Sequence, residues 1–203
     1  MLTMQRIDKS GKMPEQTRKA FLKYKSKKWG DIPYETTVPL REQLLAEQHE
    51  LCCYCCQSIK DKTTHLEHLY SRKDYPNRRF DYENLLLSCD TPKQCDNAKG
   101  NQELPLHPLM NECDEEIKLN LAGELVSYTE RAAQAIEILN LNNRKINYQR
   151  KGLIDAVSFT FDPTQAYGSP IGIQDLQTLT LIIEYMKEDP RYQELKYILN
   201  KLT

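Results

Sequence analysis

No stretch of this 203-residue chain is apolar enough to span a membrane. It also has no internal repeat, no low-complexity tract and no glycine-rich phosphate loop, so any dependence on ATP must come from a partner. The opening, MLTMQRIDKSGK, lacks the apolar run of a secretory signal. We therefore expect a cytoplasmic protein whose seven cysteines, an odd number, are reduced or metal-bound rather than disulfide-bonded. Excess charge of one sign is missing too, with a net charge of -1. The distribution is less even: Met1 to Gly30 hold nine Lys or Arg against Asp8 and Glu15. Arg72, Lys73, Arg78 and Arg79 form a second basic cluster that could bind a nucleic-acid backbone without reading its sequence. The length suits one core with an appended helical part.

What is present is concentrated between Leu51 and Gly100, in LCCYC, HLEHLY, YENLLLSC and QCDNAKGN. Cys52 and Cys55 form a C-x-x-C pair, and Cys89 with Cys95 a looser C-x5-C pair. Four thiolates in this arrangement could enclose a tetrahedral Zn2+ and pin two distant loops together. Cys53 and Cys56 make an equally good C-x-x-C, although the tyrosine before the second thiol favours Cys52 and Cys55.

Between and after the thiols stand Glu67-His68, Asn84 and Asp96-Asn97-Ala98-Lys99-Gly100. Two oxygen ligands and an imidazole suffice for phosphodiester hydrolysis on one metal, since Mg2+ keeps several waters and borrows phosphate oxygens. Glu67 and Asp96 could supply the ligands, with Asn97 competing for the second position. Neutral His68 could take a proton from the attacking water. Adjacent strand residues point to opposite faces, so β-structure should end or bend at Glu67-His68 if both serve one site.

At these residues the chain resembles HNH endonucleases: EH-[LF]-x-x-[KR], NLLLSC and C-[ND]-x-x-KG are similar to the ββα-metal core. Further stretches, MQRIDKSGKMP, LREQLLAEQHELCCYC, LPLHPLMN and IEILNLNNRKINYQRKGLIDAV, resemble the family containing PtuB, the HNH subunit of Septu anti-phage systems. The resemblance covers most of residues 4–157. It implies His68 as general base, Glu67 and Asp96 facing a catalytic Mg2+ or Mn2+, Asn84 orienting the histidine backbone, and Lys99 as the helix lysine. It also implies a PtuA-like ABC-type ATPase partner, and in some relatives a retron reverse transcriptase with its small DNA. Two departures stand out. Thr91 to Gln94 lengthen the second thiol pair, and C-D-N replaces C-N, where the count from Cys95 to Lys99 favours Asp96.

The expected fold is α+β: a ββα-metal core with a four-cysteine zinc knuckle over residues 51–112, an N-terminal helical region over 1–50, and a hairpin with C-terminal helices over 113–203. Helices are predicted over Pro14–Lys28 and Pro39–His49, the latter capped by Thr36 or Thr37. Strands are predicted near Thr64–His68 and Leu85–Ser88, a helix opening at Asp96, and a hairpin over Lys118–Tyr128 around Gly123. Helical spacing follows from Thr129 and again over Arg144–Val157. Pro163, Gly168, Pro170 and Gly172 mark a loop, after which Asp175 caps a segment to about Lys187, and Pro190 precedes a terminal helix. In the segment that Asp175 caps, Leu176, Leu179, Ile182, Ile183 and Met186 read as buried core before they read as a docking face.

Taken singly, each feature has a plainer meaning. Asn84 would be a turn residue, His65 a strand-surface histidine, Cys53 and Cys56 buried small residues, and Cys113 a free thiol. The N-terminal basic run reads equally as a solvated helix face. In combination they leave two readings: a metal-dependent nuclease, or an inactive zinc-finger subunit that binds nucleic acid or acts as a scaffold.

Overall fold

The computed structural model describes residues 4, 6–120 and 122–161. The mixed α+β architecture expected from the sequence is present: short helices surround two small antiparallel sheets. The regions predicted after residue 161, including the apolar segment from Leu176 to Met186, lie outside the described residues. Among the described residues no helix is long and apolar enough to cross a membrane.

Helix α1 runs Glu15–Lys23 and buries Thr17 and Phe21, four residues apart on one face. It stops short of the predicted Lys28 because Trp29 is drawn back against the rings of Phe21 and Phe80, at 5.7 and 5.9 Å between centroids. The chain must turn between them, and Lys27 N donates to Tyr24 O at 2.9 Å there. Helix α2, Val38–Glu47, buries Leu40 and Leu44. The expected threonine cap is corrected. Thr36 and Thr37 hydroxyls donate backward to the carbonyls of Pro33 and Tyr34 at 2.7 and 2.8 Å, stabilising the preceding turn instead.

Strands β1 (Thr64–His68) and β2 (Leu85–Cys89) pair antiparallel, from Thr64 opposite Cys89 to His68 opposite Leu85. Every residue of β2 is buried, which its continuous LLLSC run requires. Gln48 finishes the free edge: its Oε1 accepts from Leu87 N at 2.7 Å and its Nε2 donates to Leu87 O at 2.8 Å. Helix α3, Asp96–Lys99, follows β2.

The first residues fold onto this hairpin. Ile7 N donates to Pro108 O at 2.7 Å, Lys9 Nζ to Leu85 O at 2.9 Å, and Gly11 N to Glu47 Oε1 at 2.8 Å. A Cβ on Gly11 would lie 2.0 Å from Gln43 Nε2 and 2.4 Å from Glu47 Oε1, so a larger residue here would require both side-chain ends to shift. Lys9 therefore differs from the other cations of the basic stretch. Its side chain is buried beside Glu47 and over the Tyr82 ring, and burial lowers its pKa to about 8.

Beyond α4 (Cys113–Glu116), β3 (Ile117–Leu119) and β4 (Leu125–Ser127) make the predicted hairpin. Gly123 turns it at φ 83°, packed where a Cβ would meet Asn147 O at 2.3 Å. Helix α5, Glu130–Ile138, is capped by the Thr129 hydroxyl, which accepts from Ala132 N at 3.2 Å. Asn143 Oδ1 accepts from Lys145 N and Ile146 N at 3.1 and 3.2 Å, so the asparagine-rich break starts α6, Arg144–Phe161. One buried cluster runs from Met4 to Ile154 and includes both hairpins.

Candidate functional site

The knuckle forms because Leu51 bridges to Ser58 and Cys52 N donates to Gln57 O at 2.9 Å, closing the chain around Cys55. Cys53 N bonds Leu87 O at 3.0 Å, fastening this turn to β2. From the other side, Cys95 enters with φ 55° and ψ -129°, a conformation costing a non-glycine residue on the order of 1–3 kcal/mol. That turn aims its sulfur at the cluster while its N–H bonds Leu139 O at 2.9 Å.

The Sγ atoms of Cys52, Cys55, Cys89 and Cys95 all lie within 4.8 Å of one another and are buried. Cys52 and Cys95 are 3.8 Å apart, Cys55 and Cys89 3.9 Å. Four sulfurs about 2.3 Å from one zinc would be about 3.8 Å apart along the tetrahedron edges. These distances are far too long for disulfides, and no described cysteine forms one. The four cysteines could therefore hold a zinc ion. Two sequence ambiguities are resolved here: Cys53 and Cys56 lie outside the cluster, and the longer Thr91–Gln94 spacing still delivers Cys95 to it. Burial, with Cys52 beside it, pushes the Cys53 thiol well above its usual pKa.

At the opposite end of β1, Glu67 is buried, and its Oε1 accepts from Tyr54 Oη at 2.7 Å and pairs with Lys99 Nζ at 2.8 Å. Burial, reinforced by a hydrogen bond to the neighbouring Asp96 carboxyl, raises Glu67 to about 8 against the opposing pull of Lys99. A carboxyl in that condition is largely protonated at neutral pH. A divalent cation shared with Asp96 would let both ionise. Lys99, 1% exposed, also donates to His68 O at 3.0 Å, so one ammonium joins the two adjacent residues.

The strand ends at His68. The ring packs edge-on to Trp29, 4.4 Å between centroids, and Nε2 lies 3.0 Å from Arg79 O. A carbonyl only accepts, so Nε2 carries the proton and Nδ1 keeps the lone pair. Burial, then the Arg72 charge, lower His68 to about 4, leaving the ring neutral at physiological pH. Asn84 fixes the loop leaving His68: Oδ1 accepts from Tyr70 N at 2.7 Å, and Nδ2 donates to Tyr70 O and Arg78 O, each at 3.1 Å.

Asn97 is not brought to this cluster. It lies on the exposed side of α3, where Nδ2 donates to Thr91 O at 3.3 Å and Asp90 Oδ1 at 3.4 Å, while Asp96 faces Glu67. The competing-ligand expectation is corrected accordingly, because successive helical residues point about 100° apart. Of the basic cluster, Arg72 lies over the Trp29 ring at 5.3 Å within the field of Asp96 and Glu67. Lys73 is exposed. Arg78 stacks on Tyr70 at 4.1 Å and pairs with Asp81 at 3.6 Å, and Arg79 lies over Phe80 and bonds Lys25 O.

Sequence reasoning missed three participants. Tyr54 serves Glu67 as well as marking the knuckle. Trp29, the only tryptophan, walls the histidine. His65, on the same strand face as Glu67, sets Nδ1 2.8 Å from Asp96 Oδ2 and Nε2 2.9 Å from Asp90 Oδ1. Its spacing of two from Glu67 was the available signal. No protein-family model matches the chain, and a search of curated proteins finds no matching relative.

Proposed function

We propose that this chain is a metal-dependent HNH endonuclease of the PtuB-containing family, with β1, β2 and α3 as its ββα-metal core. The observation carrying this reading is the buried Glu67 carboxyl paired with the half-buried Asp96, beside a neutral histidine whose Nε2 is held by Arg79 O and whose Nδ1 keeps the lone pair. A bound Mg2+ or Mn2+ would supply charge stabilisation at the phosphoryl and leaving oxygens. Glu67 and Asp96 would hold that cation, with His65 Nδ1 2.8 Å from Asp96 Oδ2 steadying the second carboxyl. His68 Nδ1 takes a proton from the water aimed at phosphorus, with Arg79 O fixing the ring tautomer. Lys99 holds the His68 carbonyl and Asn84 the backbone of Tyr70 two residues on, and Arg72 and Lys73 meet substrate phosphates. A zinc held by Cys52, Cys55, Cys89 and Cys95 is structural.

In this reading the chain is the effector of an anti-phage complex in the cytoplasm. A PtuA-like ATPase, and in retron-associated systems the reverse transcriptase with its small DNA, restrains it, because an unrestrained nuclease would attack its host. The test is incubation with plasmid DNA and total tRNA in Mg2+, Mn2+ or chelator, with and without the ATPase. Cation-dependent cleavage of either substrate is expected within the complex and weak or absent cleavage by the chain alone. No cleavage under any condition, with zinc bound, would favour the nucleic-acid-binding or scaffold reading, for which the thiolate cluster alone speaks.

A further inference from the structure

The basic N-terminal stretch has no part in the chemistry described above, yet the fold gives one piece of it a definite place. Lys23 ends α1, and Lys25, Lys27 and Lys28 follow in the turn to Trp29; all four are exposed. Arg18 and Lys19, earlier in the helix, pair with Glu15, whereas these four lysines form no ion pair with any described carboxylate.

The two ends of this turn bring it to the histidine site. At one end Phe21 packs on Phe80, 4.7 Å between centroids. At the other, Trp29 stands edge-on to His68 at 4.4 Å, and the Arg72 guanidinium lies over the Trp29 ring at 5.3 Å. Between them Arg79, whose carbonyl O lies 3.0 Å from His68 Nε2, donates from Nη2 to Lys25 O, 54 residues away in sequence. Two basic segments that are separate in sequence therefore meet beside His68. The acids within them are engaged: Asp31 Oδ2 accepts from Lys28 N at 3.1 Å, and Asp74 Oδ2 from Ser71 Oγ at 2.6 Å. Like charges gathered on one rim repel, a cost that an anionic backbone laid along them offsets.

We propose that the turn from Lys23 to Lys28 is a phosphate-binding wall which, with Arg72 and Lys73, holds a nucleic-acid backbone running past His68. Its purpose rests on the nuclease reading of that histidine; the binding itself does not. Exposed cations on an irregular turn meet phosphates rather than base edges, so affinity depends on salt and little on sequence. Trp29, the chain's single tryptophan, then stands beside the bound strand.

The test uses the full chain with no Mg2+ or Mn2+ added, so that binding is read apart from cleavage. Anisotropy of a labelled DNA duplex is followed between about 50 and 200 mM salt. Wild type is compared with a variant combining Lys23→Gln, Lys25→Gln, Lys27→Gln and Lys28→Gln. A control combining Lys60→Gln, Lys62→Gln, Arg144→Gln and Lys145→Gln removes the same charge from other exposed positions. The first variant is expected to lower the slope of log K against log salt by about two to four, and the control by less than about one. Trp29 emission is expected to change as duplex saturates wild type. Equal slopes in variant and control, or Trp29 emission unmoved at saturation, would overturn the proposal and leave the nuclease reading in place. Displacement of the duplex by polyglutamate as readily as by unlabelled duplex of matched charge would give the rim to an acidic protein, and overturn it too. The expected slope change without cleavage once Mg2+ and the ATPase are added would instead sink the nuclease reading and keep the wall as a binding surface.

Discussion

The two ends of the β1–β2 hairpin are built on opposite principles. Near Thr64 and Cys89, four like ligands already stand at the separations a zinc would impose. Near Glu67 and His68, unlike groups compete: two carboxyls, one lysine, one histidine and an arginine share a partly closed space. The first end could hold a zinc ion without rearrangement. The second keeps one carboxyl above its normal pKa and one imidazole below it, each shifted first by burial. A hairpin pinned at one end can thus hold an electrostatically uneasy site at the other.

Breaking the thiolate end should have the largest effect on folding. Cys52→Ser is expected to abolish zinc binding and cost more than about 4–5 kcal/mol, measured by metal content and denaturant unfolding. A variant with unchanged stability would show that the knuckle stands without its metal.

The carboxyl end should respond to pH. Glu67 has a folded pKa of about 8, above its unfolded value, so its contribution to stability is complete at low pH and is lost as pH rises through 8. His68, lowered to about 4, contributes stability that is present above its unfolded pKa near 6.5 and is lost as pH falls through 4. Between pH 6.5 and 8 only the glutamate term changes. Unfolding measured there should show wild type losing stability relative to Glu67→Gln, by up to about 1.4 kcal/mol per pH unit, with the difference shrinking in Mg2+. Parallel curves for the two proteins would contradict the proposed carboxyl pair.

Much of this contrast was legible before any coordinates. The lone leucine among polar residues in THLEH and the unbroken LLLSC mark β1 and β2 to within a residue, although Leu66, Glu67 and His68 prove to be buried in succession. The four thiols were legible because ligand chemistry restricts residue type. What escaped was long-range. The end of α1 is set by Trp29 packing 5.7 Å from Phe21, which no local propensity encodes. His65 looked like a surface histidine because its partners, Asp90 and Asp96, belong to the other strand's continuation. The count from Cys95 to Lys99 already favoured Asp96, and the direction of α3 adds that Asn97 lies on its exposed side.

Smaller effects sharpen the comparison further. Asn84→Ala removes three hydrogen bonds that hold the loop after His68, and should cost about 1–3 kcal/mol by thermal unfolding while lowering cleavage more than substrate binding. Stability within a few tenths of wild type would remove Asn84 from its anchoring role. Lys73→Ala, on an exposed cation, should leave folding untouched, weaken nucleic-acid binding for all sequences alike, and reduce the salt slope by about one. An unchanged slope would place the phosphates elsewhere.

The central claim is that His68, held neutral with Nδ1 free, is the base of a nuclease. The most direct measurement compares wild type with His68→Ala in the cleavage of DNA and tRNA under the same activating conditions, with circular dichroism and zinc content confirming an intact fold. A loss of about 10²–10⁴-fold in rate with zinc and fold retained is expected. Equal cleavage by the two proteins would contradict the account.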